Sequence, residues 1–124
     1  MFLYYLASPY THKNKEIQKK RLKDISIIGS ELTKKGVLCI HPIASSATLV
    51  KHGSMKGCFD TWATLDLEYV RRCDAVLVAD LDGWKESIGV TAEIEYARSH
   101  SKGVFILDHK KALKGVIEIN ALHT

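Results

Sequence analysis

The stretch "DGWKESIGVTAEIEYA", Asp82 to Ala97, concentrates residues that can do chemistry. Glu93 stands among Val90, Thr91, Ala92 and Ile94, where a helix should begin to bury itself. A carboxylate there is either a solvated helix residue paired with Arg98 or Lys102, or a working acid whose environment tunes it. Six residues earlier, Ser87 is a good N-cap, and Gly89 lets backbone approach closely. The free amides of such a helix start attract anions, phosphate included. Ser87 can equally be a cap and nothing more. Asp66 has two readings as well: an ion-pair partner for Arg71 or Arg72, or a second acid beside Glu93.

These residues need elements that bring them together. "FLYYLA" (Phe2 to Ala7) reads as a buried strand, broken by "SPY". Asn14 to Lys35 reads as a long helix with Ile17, Ile25, Ile28 and Leu32 near one stripe, and Gly36 fits its C-terminal cap. "VLCI" (Val37 to Ile40) is a short strand ended by His41-Pro42. Ile43 to Gly57, small and polar with two glycines, reads as a long loop with one helical turn. Phe59 to Cys73 is a helix, Asp74 to Asp80 an all-apolar strand, and Ser87 to Ser101 a helix. "VFILD" is a strand, and "GVIEIN" reads as an edge strand.

Strands alternating with helices predict a single α/β domain over residues 1–124, with a parallel sheet of about five strands and helices on both faces. Ligands of such sheets sit beyond the carboxyl ends of the strands, at a topological switch point. Tyr5, Ser8, Tyr10, His41, Asp80, Asp82, Ser87 and Glu93 would converge on that rim, with Asp66 joining from the preceding helix. His41 before Pro42 can also be a strand-end residue satisfied by backbone.

Composition narrows the function. The chain has 124 residues, 46% hydrophobic and 26% charged, which suits one compact domain. No apolar run approaches the roughly 20 residues of a membrane span, and no basic leader marks a signal peptide. Cys39, Cys58 and Cys73 match no zinc or redox spacing, so reduced thiols in a cytoplasm are expected. The net charge of +4 comes largely from "HKNKEIQKKRLK", His12 to Lys23. Without interleaved aromatics this reads as a solvated helix face rather than a nucleic-acid patch. His12, His52, His100, His109 and His123 show no metal spacing and read as surface residues. There is no GxGxxG, no P-loop and no GxSxG elbow.

Taken in order, "YLASPY", "HPI", "LDLEYVRRCDAVLVADLDGW", "SIGVTAEIEYA" and "KGVFIL" resemble the nucleoside 2-deoxyribosyltransferase superfamily. Within it, the likeness is greatest to the small DUF1937 family, which shows a similar "LASPY", a "W…D" helix and a "GWxxSxGVxxE" segment. The resemblance implies a flavodoxin-like or Rossmann-like fold and cleavage of the N-glycosidic bond of (deoxy)nucleosides or their 5′-monophosphates. It gives Glu93, in its "GxxxE" context, the role of nucleophile. It makes Asp66 an assisting acid at sugar or base, and has Tyr5 line the site. Ser8, Pro9, His41, Asp82, Trp84, Ser87 and Gly89 become substrate contacts. No metal or organic cofactor is implied, and homo-oligomers are.

The chain departs from the nucleoside-specific pattern at Ser8, where glycine is typical, and at Ser87, where aspartate is typical. It is similar to the nucleoside 5′-monophosphate N-glycosidase branch at Ser87. An aspartate at a helix start would repel a 5′-phosphate, whereas a hydroxyl and free amides would bind it. The expected small-molecule partner is therefore a nucleotide or a nucleoside, with the nucleotide preferred. A non-catalytic nucleotide- or nucleotide-sugar-binding module of the same fold is the alternative.

Overall fold

The computed structural model describes residues 1–53 and 59–123. The chain runs β1 (Tyr4–Ala7), α1 (Lys15–Lys34), β2 (Cys39–Ile40), α2 (Pro42–Gly53), α3 (Phe59–Arg72) and β3 (Ala75–Ala79). A single 3₁₀ turn (Trp84–Glu86) leads into α4 (Ile88–Ser99), β4 (Gly103–Leu107), α5 (His109–Leu113) and β5 (Ile119–Ala121). The sheet order is β2-β1-β3-β4-β5. Four strands are parallel, with Tyr4 opposite both Cys39 and Ala75. The fifth pairs antiparallel with β4, Leu107 facing Ile119. This is the Rossmann-like α/β architecture expected, with the switch point between β1 and β3.

Alternation along the strands divides the core in two. Tyr5, Ala7, Val76 and Val78 face α3 and α4, where Val70, Val90 and Ala97 cover them. Leu6, Leu77, Ala79 and Leu107 face the other way, onto Ile25, Ile28 and Leu32 of α1 and Ala112 of α5. β3 is buried at every position because helices cover both its faces. Of the stripe expected on α1, Ile25, Ile28 and Leu32 are buried, while Ile17 is exposed. α1 begins with Asn14, whose side chain accepts the Glu16 amide.

Part of the segment expected as a loop is α2, from Pro42 to Gly53; residues 54–57 of it, and Cys58, lie outside the described residues. Proline suits a helix start, because its missing amide would have no helical partner there. The His41 carbonyl accepts the Ser45 amide and closes the first turn. α5 was not legible as a helix. Asp108 caps it by accepting the Lys111 amide, and Gly115, at φ +85°, follows its end. No helix among the described residues is long and apolar enough to cross a membrane.

One side chain ties the loops that flank the switch point. Arg21 of α1 donates through Nη1 to the carbonyls of Thr11 at 3.0 Å and Tyr10 at 3.5 Å, and through Nη2 to that of Asp82 at 3.0 Å. The loop after β1 is thereby stapled to the loop after β3. Gly83, at φ +90°, makes room for this staple: a Cβ there would lie 2.5 Å from Arg21 Nη2.

Gly36 and Gly83 separate two effects. Gly36 also has positive φ, at +73°, but nothing lies within 4 Å of a Cβ placed on it. Gly36→Ala should cost only the left-handed strain, about 1 kcal/mol. Gly83→Ala should cost that and the staple, about 2–4 kcal/mol in all. Thermal melts read the difference, and equal losses for the two variants would show that the staple contributes nothing.

Candidate active site

Three elements deliver three polar groups to one place on the α3/α4 side of the sheet. β1 alternates so that Tyr5 points to that side, where it is buried. α4 starts at Ser87, whose hydroxyl oxygen accepts the Val90 amide at 3.2 Å. Glu93 lies in the second turn and accepts a hydrogen bond from the Tyr5 hydroxyl, 2.5 Å from Oη to Oε2. Asp66 comes from α3 and acts electrostatically on both of them.

The electrostatics follow from burial. Glu93 loses solvent on joining this cluster, which disfavours its charged form. Its pKa is pushed up to about 8, mainly by that desolvation and further by the Asp66 charge; the Tyr5 hydrogen bond opposes the rise. Desolvation pushes Asp66 up to about 6. Burial and the two carboxylates drive Tyr5 far above its usual value, so it remains a hydroxyl donor at any ordinary pH. At neutral pH the two carboxyl groups therefore hold about one proton between them. Such a pair can donate a proton and also present a carboxylate.

The remaining expected site residues divide between the two sides of the rim. Ser8 and Pro9 are buried just past the end of β1, and the Ser8 Oγ has no hydrogen-bond partner among the described residues. Trp84 packs against the cluster that contains Tyr5 and Val90. Ser87 and Gly89 stand at the start of α4, Ser87 as its cap. His41 does not join them. Its ring packs on α1, with Nδ1 2.9 Å from where a Cβ on Gly29 would be, and burial lowers its pKa. Asp82 is exposed and offers its carbonyl to Arg21. It borders a different groove of about 370 Å³ on the α1 side, lined by His12, Lys20, Arg21, Asp24 and His109.

His109, expected at the surface, is instead half-buried: its Nδ1 lies 2.7 Å from Asp80 Oδ1, and the same oxygen accepts its backbone amide at 2.8 Å. Asp80, Asp108 and His109 bring potential metal-ligand atoms within 4.8 Å of one another. Those atoms already have partners, since Asp80 holds His109 and Asp108 caps α5. Cys39 and Cys73 are free thiols pushed up to about 11 by burial, too high for ready nucleophilic use.

Trp62, the tryptophan of the "W…D" likeness, had no site role assigned from the sequence. It lies one helical turn before Asp66, and its indole Nε1 is buried without a hydrogen-bond partner among the described residues. The four-residue spacing to an acid was its available signal.

No curated protein matches the chain. A family model does, described as Domain of unknown function (DUF1937), over residues 3–109. That span takes in every strand of the parallel sheet together with Tyr5, Asp66 and Glu93, and the chain belongs to the DUF1937 family.

Proposed function

We propose that this chain cleaves the N-glycosidic bond of (deoxy)nucleoside 5′-monophosphates, or of nucleosides, as a member of the nucleoside 2-deoxyribosyltransferase superfamily. The observation that carries the reading is the meeting of Tyr5, Asp66 and Glu93, three residues far apart in sequence, around one partly buried carboxyl group.

The chemistry follows a retaining glycosidase. A Glu93 carboxylate oxygen attacks C1′ as the bond from C1′ to the base nitrogen breaks. The bonding electrons go to the base, and Asp66 supplies the proton it needs. The resulting glycosyl ester on Glu93 is opened by water, whose proton returns to Asp66, or by a second base in a transfer. Tyr5 holds Glu93 in place throughout. The active microstate has Glu93 ionised and the shared proton on Asp66. Positive charge developing on the sugar stabilises the Glu93 carboxylate at the moment of attack. At the start of α4, the Ile88 and Gly89 amides and the Ser87 hydroxyl proton suit a 5′-phosphate.

Three outcomes test this. Deoxynucleoside 5′-monophosphates and nucleosides are incubated with the protein and chromatographed for free base. Release should be faster from the monophosphates and should fall at least a thousandfold in Glu93→Ala. Release that survives the substitution removes Glu93 as nucleophile. Nucleotide binding without release from any substrate supports the non-catalytic module instead.

The pH profile of kcat/KM should be bell-shaped, with limbs near 6 and 8, because only the singly protonated pair works. A flat profile from pH 5 to 9 would exclude the carboxyl pair.

Stability should carry the same signature. In the unfolded chain Glu93 ionises near 4.5, in the folded chain near 8. Its contribution is therefore greatest below pH 4.5 and is lost as pH rises towards 8, by an amount of order a few kcal/mol. Glu93→Gln keeps an oxygen for Tyr5 but cannot ionise. Its melting temperature should match the parent at pH 4 and exceed it at pH 8. An equal offset at both pH values would contradict the raised pKa.

A further inference from the structure

Two buried side-chain polar atoms lack a hydrogen-bond partner in the described part of the molecule: Ser8 Oγ and Trp62 Nε1. Buried donors of this kind are rare in folded proteins, and each costs about 1–3 kcal/mol when left unpaired. Both stand at the same edge of the sheet. Ser8 directly follows the last residue of β1, at the carboxyl edge. α3 ends at Arg72, just before β3 begins at Ala75, so that helix runs from the carboxyl edge to the amino edge. Trp62 lies ten residues before Arg72, about 15 Å along the axis. The strands it covers are about 16 Å long, which sets Trp62 level with their carboxyl ends.

The face is the right one too. Trp62, Asp66 and Val70 recur every fourth residue, one stripe of α3. Val70 sits in the buried cluster with Tyr5. Trp62 is thus one turn above Asp66, between it and the rim, on the side of the crevice opposite α4.

We propose that Trp62 forms the nucleobase subsite, its indole N–H donating to a ring nitrogen or carbonyl oxygen of the base that leaves, with Ser8 as a second ligand-facing hydroxyl. This rests on the N-glycosidase reading above, since it places the base on the α3 side, beside the acid that protonates it, and the 5′ end at α4. The donor stabilises negative charge as it accumulates on the departing base, so it acts more strongly in the transition state than before it.

Trp62→Phe keeps a large aromatic ring and removes only the N–H and some area. Binding is measured by calorimetry with a deoxynucleoside 5′-monophosphate on the Glu93→Gln background, turnover on the parent background, and melting on ligand-free protein. We expect binding about tenfold weaker, kcat/KM lower by more than that, and a melting temperature unchanged or raised, because an unpaired donor has gone. Ser8→Ala should likewise weaken binding without lowering the melting temperature. If Trp62→Phe melts lower and leaves binding and kcat/KM unaltered, the N–H has a structural partner and the subsite is overturned while the reaction stands. If nothing turns over, yet nucleotide binds and Trp62→Phe weakens it, the reaction is wrong and the subsite stands. No binding and no turnover by any protein overturns both.

Discussion

A single hydrogen bond, from the Tyr5 hydroxyl to Glu93, joins the middle of the sheet to α4 across 88 residues of sequence. A carboxyl group taken from water needs a donor or a proton, and here it has both within reach. The donor must come from a strand flanked on both sides, because only such a strand is held firmly enough to present one hydroxyl to one oxygen. β1 meets that condition, with β2 on one side and β3 on the other. β3 is in turn buried throughout, so the whole parallel core acts as the mount for one acid. The mount also bears a cost, since the tuned carboxyl group weakens the fold as the pH rises.

Much of this was legible in the residues. All-apolar Ala75–Ala79, with helices before and after it, identifies a central parallel strand. The residues alone left Asp66 and Glu93 with structural alternatives, and it was the resemblance carried by "YLASPY", an acid-bearing helix and "GVTAE" that put Tyr5, Asp66 and Glu93 together. α2 was hidden because its serines, threonine and glycine have weak helix propensity, and only packing against α1 and β1 favours it. The reversed β5 follows from length. Its connection holds one five-residue helix, about 7.5 Å, too short to return along a strand of about 16 Å for parallel pairing.

His41 and Asp82 were placed with Glu93 because all three follow the carboxyl edge of one sheet, where ligands bind. The edge has two sides. Right-handed crossovers put α1 on one face and α3 and α4 on the other, and each loop can serve either. His41 and Asp82 both belong to the α1 side: Asp82 lines the groove there with His109 and Asp24, while the His41 ring packs against Gly29 of α1. Residue type and spacing carry no label for the face, so that division becomes visible only when the strands are assembled.

The Arg21 staple grips carbonyl oxygens alone, those of Tyr10, Thr11 and Asp82. Main-chain oxygens are the same whatever side chain a residue carries. The outline of the crevice is therefore independent of the identity of those three residues, and their side chains can be exchanged for others without loosening the frame. Gly83 is the constrained one, since its φ of +90° strains any side chain and a Cβ there would push the guanidinium off its carbonyls. The loops held by the staple thus combine one conformationally constrained position with neighbours open to substitution, so side chains there can change while the architecture stays in register.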